Sequence, residues 1–139
     1  MRRRISFPDV SFNSSQVLLV EEMSSSFDAI VTLFFIDTAR NLMNYFETIN
    51  QLLKPGGLWI NFGPLLYGTS PWVQLSLEEI THVADAMGFD FTGTDSQCGD
   101  VTLPGYQVRG KEAFYNFNSP SLNKYAYVAQ FWVARKRQT

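Results

Sequence analysis

The sequence has a single cysteine, Cys98, and a single histidine, His82. One thiol cannot close an intrachain disulfide, and neither residue has a second Cys or His at ligand spacing. Disulfide scaffolds and cysteine- or histidine-based metal sites are therefore excluded, and His82, in the middle of a helical pattern, reads as a surface residue. Charge is scarce as well, with Asp, Glu, Lys and Arg at 17% of the chain against about a quarter in ordinary domains. The net charge of -2 gives no basic field for nucleic acid. The basic residues that gather in Arg2 to Arg4 and Arg135 to Arg137 read as solvated tails. No apolar run approaches the ~20 residues of a membrane span. MRRR passes directly into ISFPDV without the apolar core of a signal peptide. The expectation is a soluble cytoplasmic protein, with the nucleus as a second compartment and no membrane partner. A GxGxxG strand-to-helix turn, a GxSxG elbow and a Walker lysine are all missing, which removes support for hydrolase and phosphate-transfer chemistry.

What is present is apolar and aromatic. Hydrophobic residues make up 45% and aromatic residues 15% of 139 positions, enough for one domain with a real core. High aromatic content with little charge implies a deep apolar site or a surface normally covered by something else.

The segment FDAIVTLFFI shows no alternation, as expected of a strand covered on both faces. After it, Leu42, Tyr45, Phe46, Ile49, Leu52 and Leu53 recur at helical spacing until Pro55-Gly56-Gly57, where the helix should stop. LWINFGPLL is a second apolar strand, so strand, helix and strand form a βαβ unit with parallel strands. Ser76 and Glu79 have capping-box spacing at the head of a second helix, and Gly88 is its stop. Phe89 to Thr94 reads as a short strand. YAYVAQFWVARK is apolar on both faces and belongs inside the sheet. This divides the chain into a lead-in at 1–26, in which VLLVEEM is a candidate strand, and strand-helix-strand-helix-strand over 27–95. A long Gly-, Asn-, Ser- and Pro-rich loop at 96–121 and a final strand with a basic tail at 122–139 complete it.

Asp37 stands where the first apolar run ends. The carboxyl ends of strands in open α/β sheets are where ligands bind, which makes Asp37 a candidate site residue. The competing reading is that it caps a helix beginning near Thr38, since Asp is a strong N-cap.

FDAIVTLFFIDTARN, LLKPGGLWINFGPLLY and KYAYVAQFWVARK, with ISFPDV near the start, together resemble the C-terminal half of the carnosine N-methyltransferase family. The resemblance implies an α/β fold, the C-terminal part of a Rossmann-like class I methyltransferase sheet. That sheet is mostly parallel with its last strand antiparallel and inserted between its neighbours. The implied activity is S-adenosylmethionine-dependent methylation of an imidazole nitrogen of carnosine or a related imidazole dipeptide. Asp37 (the catalytic position), Phe34, Tyr125 and Tyr127 fall on the family's substrate-pocket positions.

Two departures accompany the resemblance. Gly68 stands where the family has a pocket histidine after GPLLY. The half of the fold with the glycine-rich cofactor loop is missing, no cofactor-binding residue is assignable, and Glu21 and Glu22 do not align with the family's ribose-binding acid. A truncated enzyme is the expectation. The alternative is a non-catalytic remnant or interaction module that self-associates through an exposed sheet edge.

Overall fold

The structure, a computed structural model, describes residues 22–68, 73–114 and 126–138. Its elements are β1 (Phe27–Leu33), a short 3-10 turn (Ile36–Thr38), α1 (Leu42–Leu52), β2 (Leu53–Gly63), α2 (Leu77–Ala86), β3 (Phe89–Phe91), β4 (Asp100–Leu103), β5 (Val108–Phe114) and β6 (Ala126–Lys136). All six strands join one sheet. β1 runs parallel to β2, while β6 is antiparallel and lies between β2 on one side and β3 and β5 on the other. By direction, β1, β2, β3 and β5 all run one way, so the last strand is the inserted antiparallel one of a mixed α/β sheet. The lead-in up to Glu21, with VLLVE of the candidate strand, lies outside the described residues.

Most of the helix punctuation in the sequence is realised. Ser76 Oγ accepts from the Glu79 N–H at 3.2 Å while the Glu79 carboxylate accepts from the Ser76 N–H at 2.7 Å. Gly88, with φ of +94°, ends α2. The stretch 96–121, expected to be a loop, instead holds a further 3-10 turn and the β4–β5 hairpin as far as Phe114; 115–121 lie outside the described residues. β5 has charged residues at Arg109, Lys111 and Glu112, and it owes its place to pairing with β6, a partner distant in sequence that leaves no local periodicity.

The core forms on one face of the sheet. Trp59 of β2 meets Phe46 of α1, Phe89 of β3 and Trp132 of β6 at ring-centroid distances of 5.1, 5.5 and 5.4 Å. All four are fully buried, with Ile49 of α1 and Ile80 of α2 in the same cluster. A buried indole N–H needs an acceptor. Trp59 donates to Thr32 Oγ1 (2.9 Å), Thr32 donates to Asn61 Oδ1 (2.8 Å), and Asn61 Nδ2 donates to the Gln130 carbonyl (3.1 Å). β1, β2 and β6 are thereby tied together inside the core. The opposite face differs from expectation. Val31 and Leu33 are 65% and 63% exposed, because among the described residues both α-helices pack on the Trp59 side.

The basic C-terminus is not a solvated tail. Lys136 Nζ donates to the Asn50 and Leu53 carbonyls at 2.6 and 2.9 Å, at the carboxyl end of α1, and burial lowers its pKa. Arg137 pairs with Asp85 and Asp90. Unsatisfied carbonyls and negative dipole at helix ends attract such cations.

Thr32→Val removes the acceptor of the Trp59 N–H while keeping the side-chain shape. Urea denaturation should show a loss of about 1–3 kcal/mol, the cost of a buried unsatisfied donor.

Candidate functional site

β1 ends abruptly. Its last residue, Leu33, is followed by Phe34 in the left-handed region (φ +47°), whose N–H donates to the Phe62 carbonyl at 2.9 Å. A non-glycine residue at positive φ is uncommon. The neighbouring strand makes room for it. A Cβ on Gly63 would stand 2.9 Å from both the Phe34 N and Cα atoms, so only glycine permits the approach. The chain then folds into the Ile36–Thr38 turn, braced by a 2.6 Å hydrogen bond from Thr38 Oγ1 to the Phe35 carbonyl.

This turn decides what Asp37 does. The helix begins at Leu42, and its N-cap is Asn41, whose side chain accepts from the Met43 N–H at 3.1 Å. Asp37 is not a helix cap. Its side chain points across to the exit of β2, where Oδ2 accepts the Leu66 N–H at 3.1 Å, and the residue is only 9% exposed. Oδ1 has no hydrogen-bond partner among the described residues.

The exit of β2 is shaped the same way. Tyr67 also adopts positive φ (+49°), and its hydroxyl donates to the Leu75 carbonyl at 2.5 Å. Burial first, and the Asp37 charge second, push its pKa up to about 12. Tyr67 closes the segment between β2 and α2 against the site. Sequence reasoning gave it no role, and its place after Gly63-Pro64 was the sole available hint.

Because β6 is antiparallel, its beginning lies beside the carboxyl ends of β1 and β2. Gly63 is opposite Gln130, and Tyr127 lies three residues beyond that pair, past the end of β2. Its ring meets Phe34 edge to face at 6.3 Å, and Phe34 packs likewise on Phe62 at 6.0 Å. Phe34, Asp37 and Tyr127 thus line one open cavity of about 220 Å³, with Thr38, Pro64, Leu66 and Gly68. Tyr125 lies outside the described residues. A side chain at Gly68 would meet open space, so the glycine leaves the cavity wider than a larger residue would.

The chemistry available is limited and specific. One carboxylate oxygen at an aromatic and apolar wall accepts from an N–H donor and favours a flat, neutral or cationic ring over an anion. Among the described residues no group of His, Cys, Asp or Glu could hold a metal ion. His82 is exposed on α2, with its ring against Tyr106. Among the described residues no nucleotide cradle is built either. Gly56, Gly88, Gly99 and Gly105 have positive φ but none follows the carboxyl end of β1 or β2; Gly63, which ends β2, is closed off by Phe34, and Gly68 beyond it has no positive φ. The described residues therefore do not fit S-adenosylmethionine.

The sequence profile of the family described as carnosine N-methyltransferase matches residues 5–138. The carnosine N-methyltransferase of Schizosaccharomyces pombe is 35% identical over 89% of this chain and 33% of its own length. That of Rattus norvegicus is 33% identical over 98% of this chain and 35% of its own. The chain spans about a third of the length of these curated relatives. Among solved structures, a SAM-dependent methyltransferase from Methanosarcina mazei superposes with a TM-score of 0.51 at 14% identity, covering 84% of this chain and 62% of that one. A chain solved in work on thioacetal formation during echinomycin biosynthesis gives 0.57 at 11% identity, covering 85% and 52%. These likenesses establish the methyltransferase fold of the sheet.

Gly63→Ala forces the Phe34 backbone away from β2. Denaturation should show a loss of about 1–3 kcal/mol, in the range of strain and overpacking costs, and the near-ultraviolet signal of the Phe34–Tyr127 wall should change. A second expectation follows from Tyr67. Its folded pKa lies above the ordinary 10.0, so the unfolded chain loses this proton first. Its contribution to stability is constant below pH 10 and is lost as pH rises to about 12. Unfolding followed across that range should show a downward slope that Tyr67→Phe lacks.

Proposed function

The chain belongs to the carnosine N-methyltransferase family, and on that premise we propose that it carries the substrate side of an N-methyltransferase acting on an imidazole nitrogen of carnosine or a related imidazole dipeptide. The observation that supports this most is the Asp37 carboxylate. It is nearly buried, pinned through Oδ2 by the Leu66 N–H, and lines a cavity walled by Phe34 and Tyr127.

A neutral imidazole has one N–H and one lone-pair nitrogen. Asp37 accepting from the N–H fixes which nitrogen is presented outward, and this orientation is the larger part of what the site contributes. With a free pKa of about 6.5 the ring is mostly neutral at pH 7, so the lone pair is available without a strong base. A ring substituted at that nitrogen is cationic for as long as it keeps its N–H, and the same carboxylate, which accepts from that N–H, stabilises the charge. Phe34 and Tyr127 hold the ring by aromatic contact, and Tyr125, by its place in the sequence, is a further wall residue. The cavity lies below the ~300 Å³ at which drug-sized sites begin, which suits a single ring with its chain extending outward. S-adenosylmethionine is the methyl donor this reading implies, and the described residues account for the substrate side alone.

A second reading is favoured by the exposure of Val31 and Leu33 and by the edge of β1, which has no partner strand among the described residues. On that reading the chain pairs with another chain along β1.

Calorimetric titration with carnosine separates the two. The folded chain should bind carnosine, and Asp37→Asn, which turns an acceptor into a donor, should weaken binding about tenfold or more, as expected for loss of a charge-assisted hydrogen bond. A folded chain that takes up no carnosine, yet sediments as one stable oligomer, would overturn the substrate reading in favour of the second.

A further inference from the structure

Next to the Asp37 cavity lies another, of about 330 Å³, lined by Arg40, Asn41, Leu42, Met43, Val73 and Leu75. The same two chain segments line both. Asp37 and Thr38 on the first lead directly to Arg40 and Asn41 on the second, and Leu66 and Gly68 belong to the same β2–α2 connection as Val73 and Leu75. Arg40 is three residues from Asp37, a path of at most about 11 Å.

Arg40 differs from the other cations. Among the described residues, Lys54 and Arg137 are in ion pairs, and Arg109, Lys111, Arg135 and Lys136 donate to backbone carbonyls. Arg40 is exposed and donates to no protein group among them. It also precedes the N-terminus of α1, an eleven-residue helix whose positive dipole end adds to the local field. A guanidinium with no pair among the described residues, beside an apolar hollow, suits a carboxylate joined to a short aliphatic chain, since the planar fork takes a carboxylate through two parallel bonds.

We infer that Arg40 is a specificity-determining residue that binds the carboxylate of the imidazole dipeptide whose ring is held at Asp37. The inference rests on the imidazole reading of the Asp37 cavity. One substrate then spans both hollows, with its ring at the acidic end, its carboxylate at the basic end and its aliphatic part along Leu42 and Met43. The chain prefers imidazoles that bear a carboxylate over the corresponding amines.

The test compares carnosine with its decarboxylated analogue, β-alanylhistamine, by calorimetry on the full 139-residue chain. The wild type should bind carnosine more tightly by roughly three- to tenfold, a range set by a partly exposed charge pair. Arg40→Met should abolish that preference by weakening carnosine alone, Arg40→Lys should restore part of it, and added salt should weaken carnosine more than the analogue. Thermal melts should be unchanged, since Arg40 has no protein partner among the described residues to lose. If Arg40→Met keeps the full preference while Asp37→Asn destroys binding of both ligands, the role of Arg40 is overturned and the imidazole reading survives. If the wild type binds neither ligand, both fall together.

Discussion

Trp59 and Trp132 meet edge to face, with planes at 90°, where β2 and β6 run side by side. Around this contact converge Phe46 from α1 and Phe89 from β3, and the Trp59 N–H is tied to Thr32 of β1. The contact demands a particular register. Slipping β2 by one residue would send Trp59 to the open face and leave its N–H without Thr32. With the register set, Leu33 and Phe62 lie side by side, Gly63 comes under Phe34, and Tyr127 extends beyond both. The geometry of the cavity thus depends on a core contact on the other side of the sheet.

The cavity wall begins at a strained exit. Phe34, in the left-handed region, directly follows β1 and sends the chain out of the sheet sharply, while Tyr67, also left-handed, lies four residues past the end of β2. A regular continuation of β1 would have carried Asp37 away along the strand. The turn instead brings the carboxylate to the Leu66 N–H, which orients it before any ligand arrives. Such prior orientation reduces the cost of ordering at the moment of binding.

The small number of charges sharpens this picture. Lys136 and Arg137 close the carboxyl ends of the helices, Lys54 pairs with Asp28, and Glu79 completes the cap of α2. Asp37, held by the Leu66 N–H alone, and Arg40, with no protein partner among the described residues, are opposite charges on one connection that line the two hollows. Apolar walls around both strengthen any electrostatic contact made there.

Local signals were legible in the sequence wherever one segment sufficed to determine the outcome. The capping box at Ser76, the stop at Gly88, the amphipathic face from Leu42 to Leu52 and the apolar β6 could all be read directly, and the motifs around FFIDTA and GPLLY led to the family. The sequence also marked Asp37 as a candidate by its place after an apolar run. It could not tell a ligand carboxylate from a helix cap, because that choice depends on where Leu66 lies, 29 residues further along. The same limit applies to the β4–β5 hairpin, to the uncovered face of β1, to the anchoring of Lys136 and to the role of Tyr67. Each is determined by groups brought together through sheet pairing across dozens of residues, and periodicity in a short window carries no information about such neighbours.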